Sequence, residues 1–404
     1  MKVLQINNVY NFGSTGKITR DIHQTLLREG VESLVCYGRR YKTDDKGVIK
    51  VCSEVYGKAN NLLSRITGIP YGGCHLSTNK LIRIIRKEKP DVVHLQCLNG
   101  FFVNIYRLIE FLKQEQISTV LTLHAEFMHT ANCGHAYDCE KWKTGCGNCP
   151  NARKATGSYF FDRTHHSWIR MKKAFEGFEK LTVVSVSPWL MERAQHSPIL
   201  ADKNHVTIYN GLDTSIFHPY DTQELRRALG IQPDEKVIFH ATPSFSLNPD
   251  HIKGGYYIRE LAERMKKDNV KIVVAGPAET DEQLPENMIM LGRVADQKKM
   301  AQLYSLADVT VLTSKRETFS MVCAESLCCG TPVVGFKAGA PEQISLKECS
   351  EFCEYEDVDG LIAAVAAADW SGETTRVAVA AQERYSREAM VEKYIKIYCE
   401  MKGD

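Results

Sequence analysis

The sequence contains no apolar run long enough to cross a bilayer, although 44% of its 404 residues are hydrophobic. Residues 1–8 carry too few apolar side chains for a secretion signal, so we expect a cytoplasmic protein. The chain also lacks an excess of charge of either sign, because 51 basic and 49 acidic residues leave a net charge of +2. This balance gives no general attraction to nucleic acid, and we predict no nucleic-acid partner.

Cysteine, in contrast, is frequent, with fourteen residues. In a reducing cytoplasm most of these are interpreted as small buried apolar residues. Four of them stand close together within residues 130–150, and four thiolates in so short a loop could form a tetrahedral zinc site. Free thiols and disulfides are the alternatives. The candidate ligands of a structural zinc ion are Cys133, Cys139, Cys146 and Cys149.

Apolar runs of strand length alternate with longer amphipathic segments along the whole chain. The runs are continuous, which is typical of parallel strands covered on both faces. Two such series in succession predict an α/β fold with two doubly wound, Rossmann-like domains. We predict an N-terminal domain over 1–215 with a cysteine-rich insert at 130–150, a second domain over 216–385, and a C-terminal helix within 386–404 that packs back on the first domain.

Eleven strands are predicted. Ligands of open α/β sheets bind at the carboxyl ends of the strands, and two such sheets facing each other would place these ends on either side of one cleft. The loops that follow strands are therefore the places to search for a site. The predicted strands are 3–6, 33–37, 92–95, 119–123, 182–185, 206–208, 237–240, 271–275, 288–291, 309–312 and 332–335.

Two carboxylates, Glu317 and Glu325, stand eight positions apart after the predicted strand 309–312. The spacing predicts Glu317 at a strand-to-helix turn and Glu325 two turns into the next helix, with both facing the cleft. Carboxylates in a cleft accept hydrogen bonds from hydroxyl groups. The pair therefore indicates a ligand that is rich in hydroxyls.

Three other loops follow predicted strands and carry candidate residues. Gly13 and Gly16 precede a helix, where backbone amides could approach a phosphate or sugar, although a tight turn that needs glycine is an equal alternative. Lys253 stands before two glycines at a helix start and could offset the charge of a diphosphate, although a solvated lysine is the simpler interpretation. His124 ends a buried run and is as consistent with a structural role as with a functional one.

Taken together and in this order, these features resemble the retaining glycosyltransferases of family 4, which have the GT-B fold. The resemblance also includes Asn210-Gly-Leu-Asp213 and the turn 338–342, and it covers nearly the whole chain. It implies transfer of a sugar, with retention, from a nucleotide-diphosphate sugar (UDP or GDP) to a saccharide or lipid-linked saccharide. The cysteine-rich loop is similar to that of the subset that builds bacterial exopolysaccharides or capsules, and we expect it to shape acceptor binding.

The resemblance also implies roles for individual residues. Glu317 would bind hydroxyls of the donor sugar, Glu325 the ribose, and Lys253 the diphosphate. His124 would contact the transferred sugar, so that the catalytic residues are Glu317, Lys253 and His124. The other expected donor-binding residues are Gly13 and Gly16 near the donor, Gly292 and Arg293 around the base, and Phe319, Ser320, Met321 and Val322, whose backbone amides would contact phosphate and sugar.

Two departures from the family pattern stand out. The arginine that usually helps the lysine is absent from the matching strand end, Ala241-Thr242, so either Arg316 or Arg293 compensates or the leaving group is stabilised less. The aspartate often found after the strand-end histidine is Ala125. Because Lys253 and helix N-termini would stabilise the leaving diphosphate, no divalent metal is expected for catalysis.

Two other functions and one further partner are compatible with the sequence. A nucleotide-sugar epimerase on a similar scaffold would convert donor without any acceptor, and an inactive transferase fold could serve as a zinc-bearing adaptor. Residues 80–89 predict a basic amphipathic helix, which either contacts anionic lipid, giving peripheral association with the inner face of the membrane, or packs its apolar side on the sheet.

Overall fold

The computed structural model describes residues 1–368 and 374–403. It divides into two compact units, of which unit 1 comprises Met1–Tyr209 and Met390–Asp404 and unit 2 comprises Asn210–Ala389. The predicted division at 215 lies close to this boundary. Within residues 1–368 and 374–403, no helix is both long and apolar enough to span a bilayer.

Unit 1 is built on a seven-stranded sheet in which every pair of neighbours is parallel. The strand order is β3-β2-β1-β4-β5-β6-β7. The strands are β1 (Lys2–Asn7), β2 (Glu32–Tyr37), β3 (Val48–Lys50), β4 (Val92–Leu95), β5 (Ser118–Leu123), β6 (Leu181–Ser185) and β7 (Asn204–Thr207). The helices are α1 (Gly13–Arg28), α2 (Glu54–Thr67), α3 (His75–Glu88), α4 (Ile105–Gln114), α5 (Phe127–Thr130), α6 (Ala152–Thr156), α7 (Thr164–Phe175) and α8 (Pro188–Gln195).

Unit 2 contains a six-stranded parallel sheet in the order β10-β9-β8-β11-β12-β13. Its strands are β8 (Lys236–Ala241), β9 (Val270–Ala275), β10 (Met288–Met290), β11 (Val309–Leu312), β12 (Val333–Phe336) and β13 (Ser350–Cys353). The helices are α9 (Gln223–Ala228), α10 (Gly255–Arg264), α11 (Gln297–Leu306), α12 (Met321–Cys328), α13 (Pro341–Ile344), α14 (Val358–Ala367) and α15 (Thr374–Tyr385); α16 (Arg387–Lys402) begins in unit 2 and continues into unit 1.

The predicted α/β fold with two doubly wound parallel sheets is confirmed. Each sheet has an apolar core, as continuous hydrophobic strands require. In unit 1, Val3 of β1 and Val120 of β5 pack with residues of α16, among them Tyr394 and Tyr398. In unit 2, Ile238 of β8 packs with residues of helices on the sheet.

Helix α3 contains most of the predicted basic amphipathic segment 80–89 and packs its apolar side into the protein. Leu81, Ile82 and Ile85 form the apolar side of α3, and all three are buried. Its basic residues Lys80 and Arg83 are on the solvent side. The apolar side of α3 therefore stabilises unit 1 and is not available to lipid.

Candidate functional site

The order of strands in unit 2 indicates where a ligand would bind. Strands β9 and β10 follow on one side of β8, and β11, β12 and β13 lie on the other. The loops that leave β8 and β11 therefore diverge at the carboxyl end of the sheet, and ligands of open α/β sheets bind at such a point. Lys253 lies in the loop after β8, and Glu317 lies in the loop after β11.

Lys253 and Glu317 form an ion pair in this position. Lys253 Nζ lies 2.6 Å from Glu317 Oε1, and both side chains are partly exposed. A cation and a carboxylate are thus held together where the sheet opens, although 64 residues separate them in the sequence. Both charges are accessible to a ligand that carries a diphosphate and hydroxyl groups.

The backbone before α10 is fixed against the loop after β11. The hydroxyl of Thr313 donates hydrogen bonds to the carbonyls of Lys253 (3.2 Å) and Gly254 (2.9 Å). Lys315 N donates to Ile252 O at 2.8 Å. Gly254 has φ = +64°, and a Cβ atom at this residue would lie 2.1 Å from Thr313 O. Glycine is therefore required both by conformation and by space.

The Glu317 loop is supported on its other side by the turn after β12. Glu317 N donates to Ala338 O at 3.0 Å, and Ala340 N donates to Glu317 O at 3.3 Å. The Glu342 carboxylate accepts hydrogen bonds from the amides of Ala338 and Gly339. The turn 338–342, which contributed to the family resemblance, thus holds Glu317 in place through the backbone.

Glu325 lies one helical turn into α12, not two turns as predicted, because the helix begins only at Met321. Its start is delayed by Ser320, which has φ = +81° and ψ = 92° and whose hydroxyl accepts a hydrogen bond from Cys323 N at 3.3 Å. A positive φ is uncommon for serine and stores strain, which is frequent at ligand sites.

Tyr304 of α11 orients the Glu325 carboxylate. Its hydroxyl donates to Glu325 Oε2 at 2.9 Å. Tyr304 is buried, and burial together with the neighbouring carboxylate raises its pKa, so that it remains a hydrogen-bond donor. The local sequence could not reveal this contact, because Tyr304 and Glu325 lie in different helices and are 21 residues apart.

The other expected donor-binding residues of unit 2 lie in loops at the same end of the sheet. Gly292 lies two residues after the end of β10. It has φ = +64°, and its carbonyl accepts a hydrogen bond from Gly276 N. Arg293 is exposed, and Arg316 is partly buried beside Glu317 in the loop after β11. The last group lies at the start of α12 and comprises Phe319, Ser320, Met321 and Val322. The ring of Phe319 is buried against Tyr385. The backbone amides at the helix start point out of the first turn.

In unit 1, Gly13 and Gly16 lie within α1, which begins at Gly13, and not before the helix as predicted. Gly13 has φ = +62°. A Cβ atom on Gly16 would lie 3.1 Å from Val9 Cγ2 and 3.2 Å from Asn11 N, so the glycine allows a close approach of two backbone segments. This observation supports the tight-turn interpretation and leaves the donor contact as a prediction.

His124 directly follows β5 and is held by a chain of amide side chains. Because Gln96 Oε1 can only accept, His124 must donate from Nε2 across their 2.8 Å contact. The Gln96 amide in turn donates to Gln5 Oε1 at 3.2 Å. Burial lowers the pKa of His124 to about 4, so the ring is neutral at neutral pH.

A second buried histidine connects this chain to the C-terminal helix. Nδ1 of His94 lies 2.7 Å from the hydroxyl of Tyr398, and Nε2 lies 2.8 Å from Thr122 Oγ1. Thr122 Oγ1 also contacts the Tyr394 hydroxyl at 2.9 Å. Helix α16 therefore contributes to the polar network behind His124 as well as to the apolar core.

Lowering the pH from about 7 to about 5 is expected to destabilise the protein. Burial lowers the pKa of His94 to about 3 and of His240 to about 4, as it does for His124. Unfolded, these rings titrate near 6.5, so below that pH the unfolded chain binds protons that the folded chain does not. The free energy of unfolding then falls by about 1.4 kcal/mol per pH unit for each such histidine.

This stability is fully present above pH ~6.5 and is lost as the pH falls towards ~4. Glu126, whose pKa is lowered to about 2, adds a further loss only below the ordinary carboxyl pKa of ~4.3. Urea denaturation at several pH values between ~7 and ~5 measures the histidine effect separately. A free energy of unfolding that does not change over this interval would contradict it.

The cysteine-rich insert is anchored by a buried carboxylate. Glu126 Oε1 lies 2.6 Å from Arg193 Nε, and Oε2 accepts a hydrogen bond from Ala136 N at 2.7 Å. Although burial raises the pKa of Glu126, the neighbouring His129 (Nε2 at 3.6 Å), the charge of Arg193 and the hydrogen bond from Ala136 N lower it to about 2. Glu126 thus connects the insert to α8.

The four thiols of the insert are close enough to influence one another: burial, followed by the charges of Cys146, Cys149 and Cys139, raises the pKa of Cys133 to about 12. Across residues 1–368 and 374–403, however, no three His, Cys, Asp or Glu side chains are arranged to hold a metal ion. All fourteen cysteines are free thiols. Structural zinc at Cys133, Cys139, Cys146 and Cys149 stays a prediction.

Three features were not found by sequence reasoning. Gln96 lies one residue after β4, so the rule of strand ends could have found it, whereas Tyr304 had no local signal. Asp357-Val-Asp359 is an Asp-x-Asp sequence of the kind that binds divalent metal in other transferases. In this chain Asp357 caps α14 and Asp359 forms an ion pair with Arg264, so both have structural roles.

A cavity of about 1340 Å³ in unit 2 lies at the opposite end of the sheet, where Lys236, Asp308 and Pro332 line it at the amino ends of strands. None of the predicted site residues lines this cavity. We place the candidate site at the carboxyl ends, where the ion pair lies.

Comparisons with known proteins find similar sequences and structures. Residues 246–368, which include Lys253, Glu317 and Glu325, match the family model described as Glycosyl transferases group 1. WcaC of Escherichia coli (strain K12), which carries the name of a colanic acid biosynthesis glycosyl transferase, is 23% identical over 98% of this chain and 99% of its own length.

Solved structures show the same architecture. A sucrose-phosphate synthase from Thermosynechococcus elongatus aligns with a TM-score of 0.66 at 15% identity, covering 99% of both chains. Anabaena Alr3699/HepE in complex with UDP and glucose aligns with a TM-score of 0.63 at 17% identity, covering 99% of this chain and 100% of that one. At these identities the likeness concerns the fold, which is GT-B.

Proposed function

We propose that this chain, a family 4-like glycosyltransferase with the GT-B fold, transfers a sugar from a nucleotide-diphosphate donor to a saccharide or lipid-linked saccharide with retention of anomeric configuration. The observation that carries the proposal is the ion pair of Lys253 and Glu317 at the carboxyl ends of β8 and β11. The full-length match to WcaC favours a role in exopolysaccharide biosynthesis. The Anabaena structure, which contains UDP and glucose, favours a nucleotide-sugar donor.

In this proposal the donor binds to unit 2. The Glu317 carboxylate accepts hydrogen bonds from hydroxyls of the donor sugar, and Glu325, oriented by Tyr304, accepts from the ribose. The Lys253 ammonium lies beside the diphosphate. As the glycosidic bond breaks, negative charge grows on the diphosphate, and a fixed cation stabilises it more in the transition state than in the ground state.

The acceptor is assigned to unit 1. His124 is neutral and donates from Nε2 to Gln96, so the lone pair of the ring is on Nδ1. In the proposal this neutral ring lies against the transferred sugar, a role that the family resemblance implies. The cysteine-rich insert begins six residues beyond His124, and we propose that it shapes the acceptor site in the cytoplasm, at the inner face of the membrane.

Retention follows from the family resemblance. No residue of the candidate site is assigned as a covalent nucleophile, and the incoming hydroxyl would attack the same face of the sugar from which the diphosphate leaves. The leaving diphosphate can itself accept the proton of that hydroxyl. The protein then contributes mainly position and fixed charge.

A transfer assay tests the proposal. We expect UDP- or GDP-sugars to release nucleoside diphosphate only when a saccharide or lipid-linked acceptor is present, and turnover to change less than about twofold when EDTA replaces magnesium, because Lys253 supplies the cation. Turnover that EDTA abolishes and magnesium restores would contradict the metal-free mechanism.

The same assay separates the alternative functions. An epimerase would isomerise the donor with no acceptor and release no nucleoside diphosphate. An inactive adaptor would do neither, and its zinc content, measured on the purified protein, would be stoichiometric. None of the relatives named above is an epimerase, and the comparisons favour a transferase.

A further inference from the structure

Helix α2 exposes its apolar side and buries its small and polar side. Val55, Leu62, Leu63 and Ile66 are exposed, with 56% of Leu62 and 54% of Leu63 accessible. Val55, Leu62 and Ile66 recur at spacings of seven and four, so they lie along one face of the helix. An amphipathic helix on the surface of a water-soluble protein normally packs its apolar stripe against the core. Helix α2 has the opposite orientation.

The inner side of α2 is held by small and polar residues. Gly57 and Ser64 are buried, and the Asn60 side chain accepts a hydrogen bond from Cys74 N at 2.7 Å. The Ser53 hydroxyl caps the helix by accepting from Tyr56 N at 3.2 Å. These contacts determine which side faces inward, so the outward apolar stripe belongs to the fold.

An exposed aromatic loop adjoins the carboxyl end of α2. Tyr159, Phe160 and Phe161 are all exposed, Phe160 to 72%. Tyr159 N donates to Arg65 O at 2.8 Å, and Arg65 Nη1 donates to the Tyr159 hydroxyl at 3.0 Å. We call Val55, Leu62, Leu63, Ile66, Tyr159, Phe160 and Phe161 the apolar patch.

The two chain segments that carry the apolar patch are rich in basic residues, and Arg65 and Arg163 lie over the rings of Tyr159 and Phe161. Residues 54–67 and 151–173 contain eight Lys and Arg residues but only two acidic ones, whereas the whole chain has a net charge of +2. Both acidic side chains have other contacts: Glu54 pairs with Arg39 and Lys50, and Asp162 accepts from Cys149 N. The two segments therefore carry a local excess of positive charge.

We propose that the apolar patch docks on the surface of an anionic lipid bilayer. Exposed Leu and Phe side chains enter the boundary between headgroups and acyl chains, Tyr lies at that boundary, and Lys and Arg attract anionic headgroups. A bilayer satisfies the apolar stripe and the basic surroundings together. The proposed docking on the bilayer does not depend on the proposed sugar transfer.

Vesicle co-sedimentation tests the proposal. The full chain is expected to bind vesicles that contain phosphatidylglycerol more strongly than vesicles of phosphatidylcholine alone, and added salt should weaken the binding. The triple substitution Leu62→Ser, Leu63→Ser and Phe160→Ser should reduce binding about tenfold or more, since three inserted side chains are lost. Arg153→Gln with Lys154→Gln should remove much of the preference for anionic vesicles.

Leu27→Ser is the matched control, because Leu27 is an exposed leucine (44%) of α1 and lies outside the apolar patch. This variant should bind vesicles as strongly as the unaltered chain. All substituted side chains are exposed, so equal thermal unfolding midpoints confirm folding. The proposal is overturned if the unaltered chain binds neither kind of vesicle. It is equally overturned if the triple variant binds vesicles as strongly as the unaltered chain. It is also overturned if light scattering shows a dimer that the triple substitution dissociates, because the apolar patch would then contact a second copy.

Discussion

Replacing Lys253 by alanine is expected to lower kcat/KM for sugar transfer by about a hundred-fold to a thousand-fold, the usual effect of removing one fixed group that stabilises transition-state charge. Glu317→Gln should cause a loss of similar size, because the amide keeps the shape but removes the anionic acceptor for the sugar hydroxyls. The effect should appear mainly in kcat for Lys253→Ala, since charge on the diphosphate grows as the bond breaks.

Stability should change little in these variants. The pair is partly exposed, with 27% of Lys253 and 19% of Glu317 accessible, and such pairs contribute about 0.2–1 kcal/mol. The double variant should lose much less than the product of the two single effects, because the residues act on one leaving group and sugar.

Lys271→Ala provides the matched control for Lys253→Ala. Lys271 forms an ion pair with Glu235 and is 28% exposed, but it lies near the amino end of β9, away from the candidate site. Its substitution should leave kcat/KM unchanged. Equal activity of Lys253→Ala and Lys271→Ala would remove Lys253 from the mechanism.

Replacing Gly254 by alanine is expected to reduce the free energy of unfolding by about 3 kcal/mol. The left-handed backbone at φ = +64° disfavours any Cβ atom, and the added methyl would lie 2.1 Å from the carbonyl oxygen of Thr313. Because that oxygen belongs to the backbone of a buried strand end, the clash moves the loop that carries Lys253. Transfer activity should fall as well.

Gly230→Ala is the control for this substitution. Gly230 has a similar φ of +69°, but no atom lies within 4 Å of an added Cβ, so only the conformational cost of about 1 kcal/mol remains. Urea denaturation of the two variants separates strain from steric clash. Equal losses at both positions would show that the contact with Thr313 has no energetic consequence.

The sequence predicted most of the architecture because buried parallel strands have a local signature. All eleven predicted strands are present, with ends that differ by one or two residues. The two that were missed, β3 and β13, are short edge strands, and Ser350–Cys353 contains too few apolar residues to stand out. Edge strands are exposed on one side, and their sequences carry less of the hydrophobic signal.

The site was only partly predictable for a different reason. The loops with Lys253 and Glu317 could be located by the rule of strand ends and by resemblance, but their pairing depends on strand order, which periodicity does not contain. Tyr304 and Gln96 act through contacts between distant segments. The length of the turn before α12 was also misjudged, since the strained Ser320 backbone delays the helix and places Glu325 one turn from its start.

Helices α2 and α3 show a further limit. Both have an apolar stripe at helical spacing, and that pattern alone does not tell which side faces the core. The stripe of α3, with Leu81 and Ile85, is buried, whereas that of α2, with Leu62 and Ile66, is exposed. The small residues Gly57 and Ser64 allow α2 to approach the protein by its other side.

A crystal structure with a bound nucleoside diphosphate would test most directly whether unit 2 grips an activated sugar through its diphosphate. We expect Lys253 Nζ within about 3 Å of a diphosphate oxygen and the Glu325 carboxylate within hydrogen-bond distance of the ribose hydroxyls. A diphosphate bound elsewhere, with Lys253 and Glu317 still paired only with each other, would contradict the proposed mechanism.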